Sequence, residues 1–150
     1  MPNLFSKTEY RVDTLMSYIE TGQIGLPRLQ RAFIWRNSKV RDLFDSMYRG
    51  YPVGNLMLWK ENVNAANRTI DNDTNNQNPS LLILDGQQRL TSLYAVMKGK
   101  PVIREDSSLD NIKIAFNPLT ETFKVADAST DKNRFFINNI SDYFTNKKGN

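Results

Sequence analysis

The chain has no histidine and no cysteine. Without cysteine there can be no disulfide, no thiolate metal site and no cysteine nucleophile. Without histidine the usual general base is missing, and no His-ligated or HNH-type metal centre can be built from this chain. Chemistry is left to carboxylates, amides, hydroxyls and cations. Also missing are an apolar run near the ~18 residues that a bilayer span requires and a signal-peptide pattern at the N-terminus. A cytoplasmic location is the expectation that follows, with no membrane partner. What is present is 150 residues, 39% hydrophobic and 24% charged, which suits one soluble domain over residues 1–150. A chain of that length buries roughly two-thirds of the surface its unfolded form exposes. The net charge of +4 and pI near 9.4 favour an anionic partner without identifying nucleic acid.

Leu81 to Met97 is the most informative stretch. It opens with four apolar residues, breaks at Asp85-Gly86-Gln87-Gln88-Arg89, and resumes with Leu90, Leu93, Tyr94 and Met97 at helical spacing. The pattern predicts a buried strand, a tight turn and an amphipathic helix. Such a junction points the unpaired N–H groups of a helix's first turn at one place, where an anion such as phosphate can be held. Arg89 in that turn adds a fork of donors suited to phosphate oxygens. The same residues also allow a plainer reading: Asp85 and Gln88 have capping-box spacing, Gly86 serves the turn, and Arg89 is solvated. Four hydrogen-bonding side chains in five residues are more than a cap requires.

Elsewhere, Ser6 and Glu9 have capping-box spacing, with Phe5 and Tyr10 placed as a hydrophobic staple. Val12, Leu15, Met16 and Ile19 then form a helical stripe that Gly22 closes. A start at Asp13, with Thr8 to Val12 extended, fits nearly as well. Pro27 bars Gln23 to Trp35 from a helix interior. From Arg28 to Arg41 there are five basic residues and no acid, with Phe33 and Trp35 among them. Cations interleaved with aromatics can grip phosphates and stack on bases, although Phe33, Ile34 and Trp35 are equally eligible for the core. Ser38 is a good N-cap for a second helix marked by Val40, Leu43, Phe44 and Met47, ending at Gly50 before Pro52. On it, Asp42 and Asp45 share a face with Arg41 and Arg49 nearby, as surface charges. Val53 to Trp59 reads as a strand. Glu61 to Ser80, with seven asparagines, reads as a long loop, either a lid or a tolerated insertion. Past Gly99 and Pro101, Ile112–Phe116 and Thr122–Val125 alternate about an Asn117-Pro118 turn, predicting a β-hairpin. Phe135 to Ile137 adds a short strand or a packed loop. The polar, basic Thr145–Asn150 tail reads as the cut end of a longer chain.

Three pieces now stand in order: LPRLQRAFIWR at 26–36, GYPVGNLMLW at 50–59 and LILDGQQRLTSL at 82–93. This series resembles the DGQQR-box domain at the N-terminus of GmrSD-type, modification-dependent restriction enzymes, and it covers about two-thirds of the chain. The resemblance implies an α+β fold, a ParB/sulfiredoxin-like mixed sheet with flanking helices. It also implies a domain that binds and hydrolyses nucleoside triphosphate, or nicks DNA, in bacterial systems directed against modified phage DNA. A second region or partner subunit, often an HNH-like nuclease with histidine, commonly follows. Under this resemblance the box falls on Asp85, Gly86, Gln87, Gln88 and Arg89, the proline-glutamine-arginine loop on Pro27, Gln30 and Arg31, and the following aromatic on Trp35. The implied catalytic residues are Asp85, Gln88 and Arg89. Gln30, Arg31, Trp35, Gly86, Gln87 and Arg89 are the implied contacts to nucleotide or DNA phosphate, and Asp85 is the implied Mg²⁺ ligand. The types suit the chemistry: an aspartate can hold Mg²⁺ or orient a water, arginines offset charge on a transferred phosphoryl group, and glutamines position a nucleophile. A non-enzymatic DNA-binding or DNA-sensing module gripping the backbone through Arg28, Arg31, Arg36 and Lys39 is the alternative. Sulfiredoxin chemistry itself uses a cysteine, which this chain lacks.

Overall fold

A computed structural model describes residues 4–25, 32–60 and 80–146. The first helix, α1 (Val12–Glu20), starts from an extended Arg11 with no side-chain cap. The Ser6–Glu9 box therefore does not form, and the chain follows the later start, with the residues before Val12 extended. Asp13 takes over part of the capping role: its carboxylate accepts the Thr14 N–H at 2.8 Å, a bond that holds this carboxyl below its ordinary pKa. Tyr10 packs edge-on against Tyr18 in place of the predicted staple with Phe5, which is exposed.

Strand β1 (Ile24–Gly25) follows, too short to show a period. Helix α2 (Asn37–Tyr48) begins from an extended Arg36, two residues ahead of the expected Ser38 cap, and buries Val40, Leu43 and Phe44. Its Asp42 and Asp45 pair with Arg41 and Arg49 at the surface, as expected. The predicted Val53–Trp59 strand is confined to β2 (Met57–Lys60). Gly54, at φ +87°, breaks the extended chain ahead of it. Residues 61–79, most of the predicted asparagine-rich loop, lie outside the described residues, as do 26–31 and 147–150 of the tail.

Strand β3 (Leu81–Asp85) and helix α3 (Gln87–Lys98) give the expected strand, turn and helix. In the three-stranded sheet β3 is central, parallel to β1 and antiparallel to β2. Met57 pairs with Asp85 but Leu58 with Ile83, so Leu84 is the surplus residue of a β-bulge. Beyond α3 come the small hairpin β4 (Val102–Ile103) and β5 (Leu109–Asp110), which sequence periodicity did not reveal, and the predicted hairpin β6 (Ile114–Asn117) and β7 (Thr122–Val125). The Asn117 side chain accepts the Leu119 N–H and so makes the β6–β7 turn. Ile137 bridges to Phe116 on β6, resolving the 135–137 segment as a one-residue strand contact. Two short helices, α4 (Ala128–Lys132) and α5 (Ile140–Asn146), complete an α+β architecture, the expected class.

Leu15, Met16, Ile24, Phe33, Val40, Ile83, Leu90, Val96 and Ile114 belong to one apolar cluster at the junction of sheet and helices. Leu90 is fully buried in the first turns of α3, so its packing holds the start of that helix in place. Replacing it with alanine is expected to lower stability by about 3 kcal/mol in urea unfolding, the usual cost of a buried leucine cavity. A second expectation concerns α4, where Asp127 and Thr130 form a reciprocal capping box. Hydrogen bonds from the Ser129 side chain, then the Thr130 backbone, hold the Asp127 carboxyl below its ordinary pKa. A lowered folded-state pKa stabilises above the unfolded carboxylate range, and that stabilisation is lost as pH falls through the folded value. The variant Asp127→Ala should therefore be less stable than the parent at pH 7, with the gap narrowing toward pH 3 in thermal melts.

Candidate functional site

The turn between β3 and α3 is made by Gly86, which sits at φ +89° as the N-cap of the helix. Glycine has no side chain to cap the first turn, and with Gly86 rather than Asp85 at the N-cap the predicted Asp85–Gln88 capping box is not formed. Both side chains are released for other contacts. Asp85 is exposed at the end of β3, and its side chain makes no hydrogen bond to a described residue. The first intrahelical bond runs from the Leu90 N–H to the Gly86 carbonyl at 3.0 Å. Helix geometry leaves the N–H groups ahead of it without an intrahelical acceptor.

Gln88 reaches across to the segment after the proline-glutamine-arginine stretch. Its amide oxygen accepts the N–H groups of Ile34, at 3.0 Å, and Trp35, at 3.4 Å, while its amide nitrogen donates to the Ala32 carbonyl at 3.3 Å. Arg89 faces the opposite way. Its Nη1 donates to the Val53 carbonyl at 2.8 Å, and the guanidinium lies against Gly54 and Gly86. A Cβ added at Gly54 would stand 2.6 Å from Nη1, and one at Gly86 would collide with Leu56 Cδ2. Both glycines also have positive φ, so this packing depends on glycine at both positions. Of the five N–H groups a guanidinium carries, Arg89 uses one on a described residue.

The three stretches picked out in the sequence therefore meet at the first turn of α3. Ala32, Ile34 and Trp35 arrive on Gln88; Val53 and Gly54 arrive on Arg89. Trp35 is half-buried, with the Lys39 ammonium 4.4 Å above its ring, whereas Phe33 is in the core and Ile34 is exposed. Pro27, Arg28, Gln30 and Arg31 lie outside the described residues; the chain is next described at Ala32, on Gln88. Gln87 is half-buried and makes no side-chain hydrogen bond to a described residue. No group of three acidic side chains that could hold a metal by themselves occurs among the described residues.

Arg104, on the β4–β5 hairpin, was not visible as a site residue in the sequence. It follows Val102 and Ile103 as an ordinary cation, and only its partners distinguish it. Nε and Nη2 bind Asp110 at 3.0 and 2.6 Å, Nη1 donates to the carbonyls of Phe33 and Trp35 at 3.3 and 2.6 Å, and Nη2 also donates to Asn37 Oδ1 at 2.6 Å. The guanidinium further lies 4.9 Å from the Phe33 ring. A cleft of about 330 Å³ opens here, lined by Phe33, Ile34, Arg104, Glu105 and Asp106.

No helix among the described residues is long and apolar enough to cross a membrane. No solved structure matches the chain. Among curated proteins, the chain is 31% identical over 83 residues to an uncharacterized protein of Methanocaldococcus jannaschii. The match takes in 49% of this chain and 14% of that relative, so the chain spans a small part of the relative's length. The model of the GmrSD restriction endonuclease N-terminal domain matches residues 12–150, which takes in all three converging stretches and the Arg104 hairpin; the chain belongs to that family.

Proposed function

We propose that this domain binds a nucleoside triphosphate with Mg²⁺ at the corner between β3 and α3. Through that binding it governs attack on DNA by a larger restriction system, as an NTPase, a nicking activity or both. The observation that carries this reading is Arg89: a half-buried guanidinium held at a helix start by one backbone bond, with four of its five N–H groups uncommitted among described residues. Those donors and the first-turn amides present a positive, directional surface to phosphate oxygens. Gln30 and Arg31, which precede in sequence the Ala32 carbonyl that Gln88 holds, are further phosphate contacts in this reading.

The donors present fit Mg²⁺. The ion typically takes one or two carboxylates and completes its shell with substrate phosphates and water, and Asp85 is an exposed carboxylate with no described partner. Asp85 would hold the ion, which when bound offsets charge on the phosphate oxygens. Arg89 neutralises charge that develops as the terminal phosphoryl group leaves, a reaction that depends mainly on positioning and cations. Gln87, whose side chain makes no hydrogen bond to a described residue, is suited to orienting the attacking water. Gln88, also implied as catalytic, has both amide atoms bonded to the 32–35 segment and contributes by holding that segment.

A second reading, a non-enzymatic DNA-binding or DNA-sensing module, is favoured by Arg36 and Lys39. Both are exposed at the start of α2, and the Lys39 ammonium lies over the Trp35 ring.

The two readings separate in binding assays. Titration calorimetry with Mg²⁺ and each of the four ribonucleoside triphosphates is expected to show binding to the parent chain. Asp85→Ala and Arg89→Ala should each weaken it by about ten-fold or more, which is ~1.4 kcal/mol per ten-fold; equal affinity in all three proteins would reject the nucleotide site. For the DNA module, affinity for duplex DNA should fall steeply between 50 and 200 mM salt, and Arg36→Ala should lower the salt slope by about one. Salt-dependent DNA binding without triphosphate binding would favour the second reading.

A further inference from the structure

The two arginines near the corner differ in how much of their hydrogen-bonding capacity is spent, and that difference assigns them different work. A guanidinium carries five N–H groups. Arg104 makes five hydrogen bonds, one for each: Nε to Asp110, two from Nη1 to Phe33 and Trp35, and two from Nη2 to Asn37 and Asp110. With its donors filled and its side chain 21% exposed, Arg104 has nothing left to offer an anion. Three of the five bonds end on a single stretch, Phe33 to Asn37. Residues 33–36 of that stretch belong to no helix or sheet and would otherwise leave backbone groups unpaired beside the core, and Asn37 opens α2.

Gln88 holds the same stretch by the complementary backbone groups. The Ala32 carbonyl and the Ile34 and Trp35 N–H groups go to Gln88; the Phe33 and Trp35 carbonyls go to Arg104. The remaining Phe33 N–H donates to the Ile103 carbonyl, next to Arg104 in the chain, at 2.9 Å. The segment is thus gripped by an amide from the α3 corner and by a guanidinium from the β4–β5 hairpin, with Trp35 bonded to both.

We propose that Arg104 is a positioning residue for the corner. By fixing the carbonyls of Phe33 and Trp35 it sets the peptide planes whose N–H groups Gln88 must receive, and so it sets the orientation of Gln88 and of the first turn of α3. The inference rests on the nucleotide-site reading for its effect on ligand, but the coupling between Arg104 and Gln88 can be measured without one.

The test uses the full chain with Arg104→Lys, Gln88→Ala and the double variant, each shown by circular dichroism to be folded at the working temperature. Amide hydrogen exchange is followed at Ile34 and Trp35, whose N–H groups bond to Gln88 and not to Arg104. Lysine cannot reproduce a five-donor planar fork, so exchange at both amides is expected to accelerate about ten-fold in Arg104→Lys. The Leu90 amide, bonded within α3, should not change. Affinity for the tightest Mg²⁺-triphosphate should also fall about ten-fold in Arg104→Lys, and this loss should disappear in the Gln88→Ala background, the non-additivity expected of residues acting as one unit. Unchanged exchange at Ile34 and Trp35, or the same affinity loss with and without Gln88, would overturn the proposal. If the parent binds no triphosphate, the nucleotide reading fails and the exchange result alone decides the coupling. Should Arg104→Lys not fold, Asp110→Asn removes the charge partner while leaving the bonds to residues 33–37, and a smaller acceleration at the same two amides is expected.

Discussion

The left-handed turn at Gly86 is the constraint on which the corner depends. At φ +89° an L side chain would be strained, and the space a Cβ needs is taken by Leu56. Because the turn occupies a single residue, α3 starts at once, and two consecutive residues of its first turn project toward different parts of the chain. Gln88 meets the segment after residue 31; Arg89 meets the backbone ahead of β2. A looser connection would add rotational freedom between strand and helix, and no pair of adjacent side chains could then fix two remote segments together.

Counting donors separates arginines that sequence cannot tell apart. Arg89 and Arg104 are both partly buried, and both touch backbone carbonyls. Among the described residues, one is full and the other nearly empty. A filled guanidinium on a carboxylate and three further acceptors is a structural brace, whereas one held by a single carbonyl is pre-oriented yet still able to bind. The carboxylate in the brace, Asp110, comes from the partner strand of the same hairpin, so a two-residue ladder is held at its mouth by a charge pair.

How much of this the sequence disclosed follows the range of the interactions involved. The β3–turn–α3 unit was legible because a run of Leu81 to Leu84, a glycine and the spacing of Leu90, Leu93 and Met97 are all local signals. The β6–β7 hairpin was legible for the same reason, through alternation on either side of Asn117. Helix starts were less so: Ser6 and Ser38 both fit cap spacing, yet α1 and α2 start from Arg11 and Arg36, neither with a side-chain cap. In α2 the neighbouring Asn37 is instead bonded to Arg104, 67 residues away in sequence. The same distance effect hid Arg104 itself, since nothing adjacent to it announces a partner at Phe33 or Trp35. The spacing of Asp85 and Gln88 suits either a cap or a binding site, and only the placement of Gly86 at the N-cap excludes the cap.

One surplus residue in β3 bears on the chemistry as well as on the pairing. Side chains of a strand alternate between faces, so without the bulge at Leu84 the residue two beyond the buried Ile83 would return to the interior face. The inserted residue reverses that parity, and the last side chain of the strand emerges into water instead of beneath the sheet. The exposure of Asp85 is in this sense a matter of counting: shortening the strand by one position would send an acid into an apolar layer and leave the corner without its only exposed carboxylate among residues 81–89.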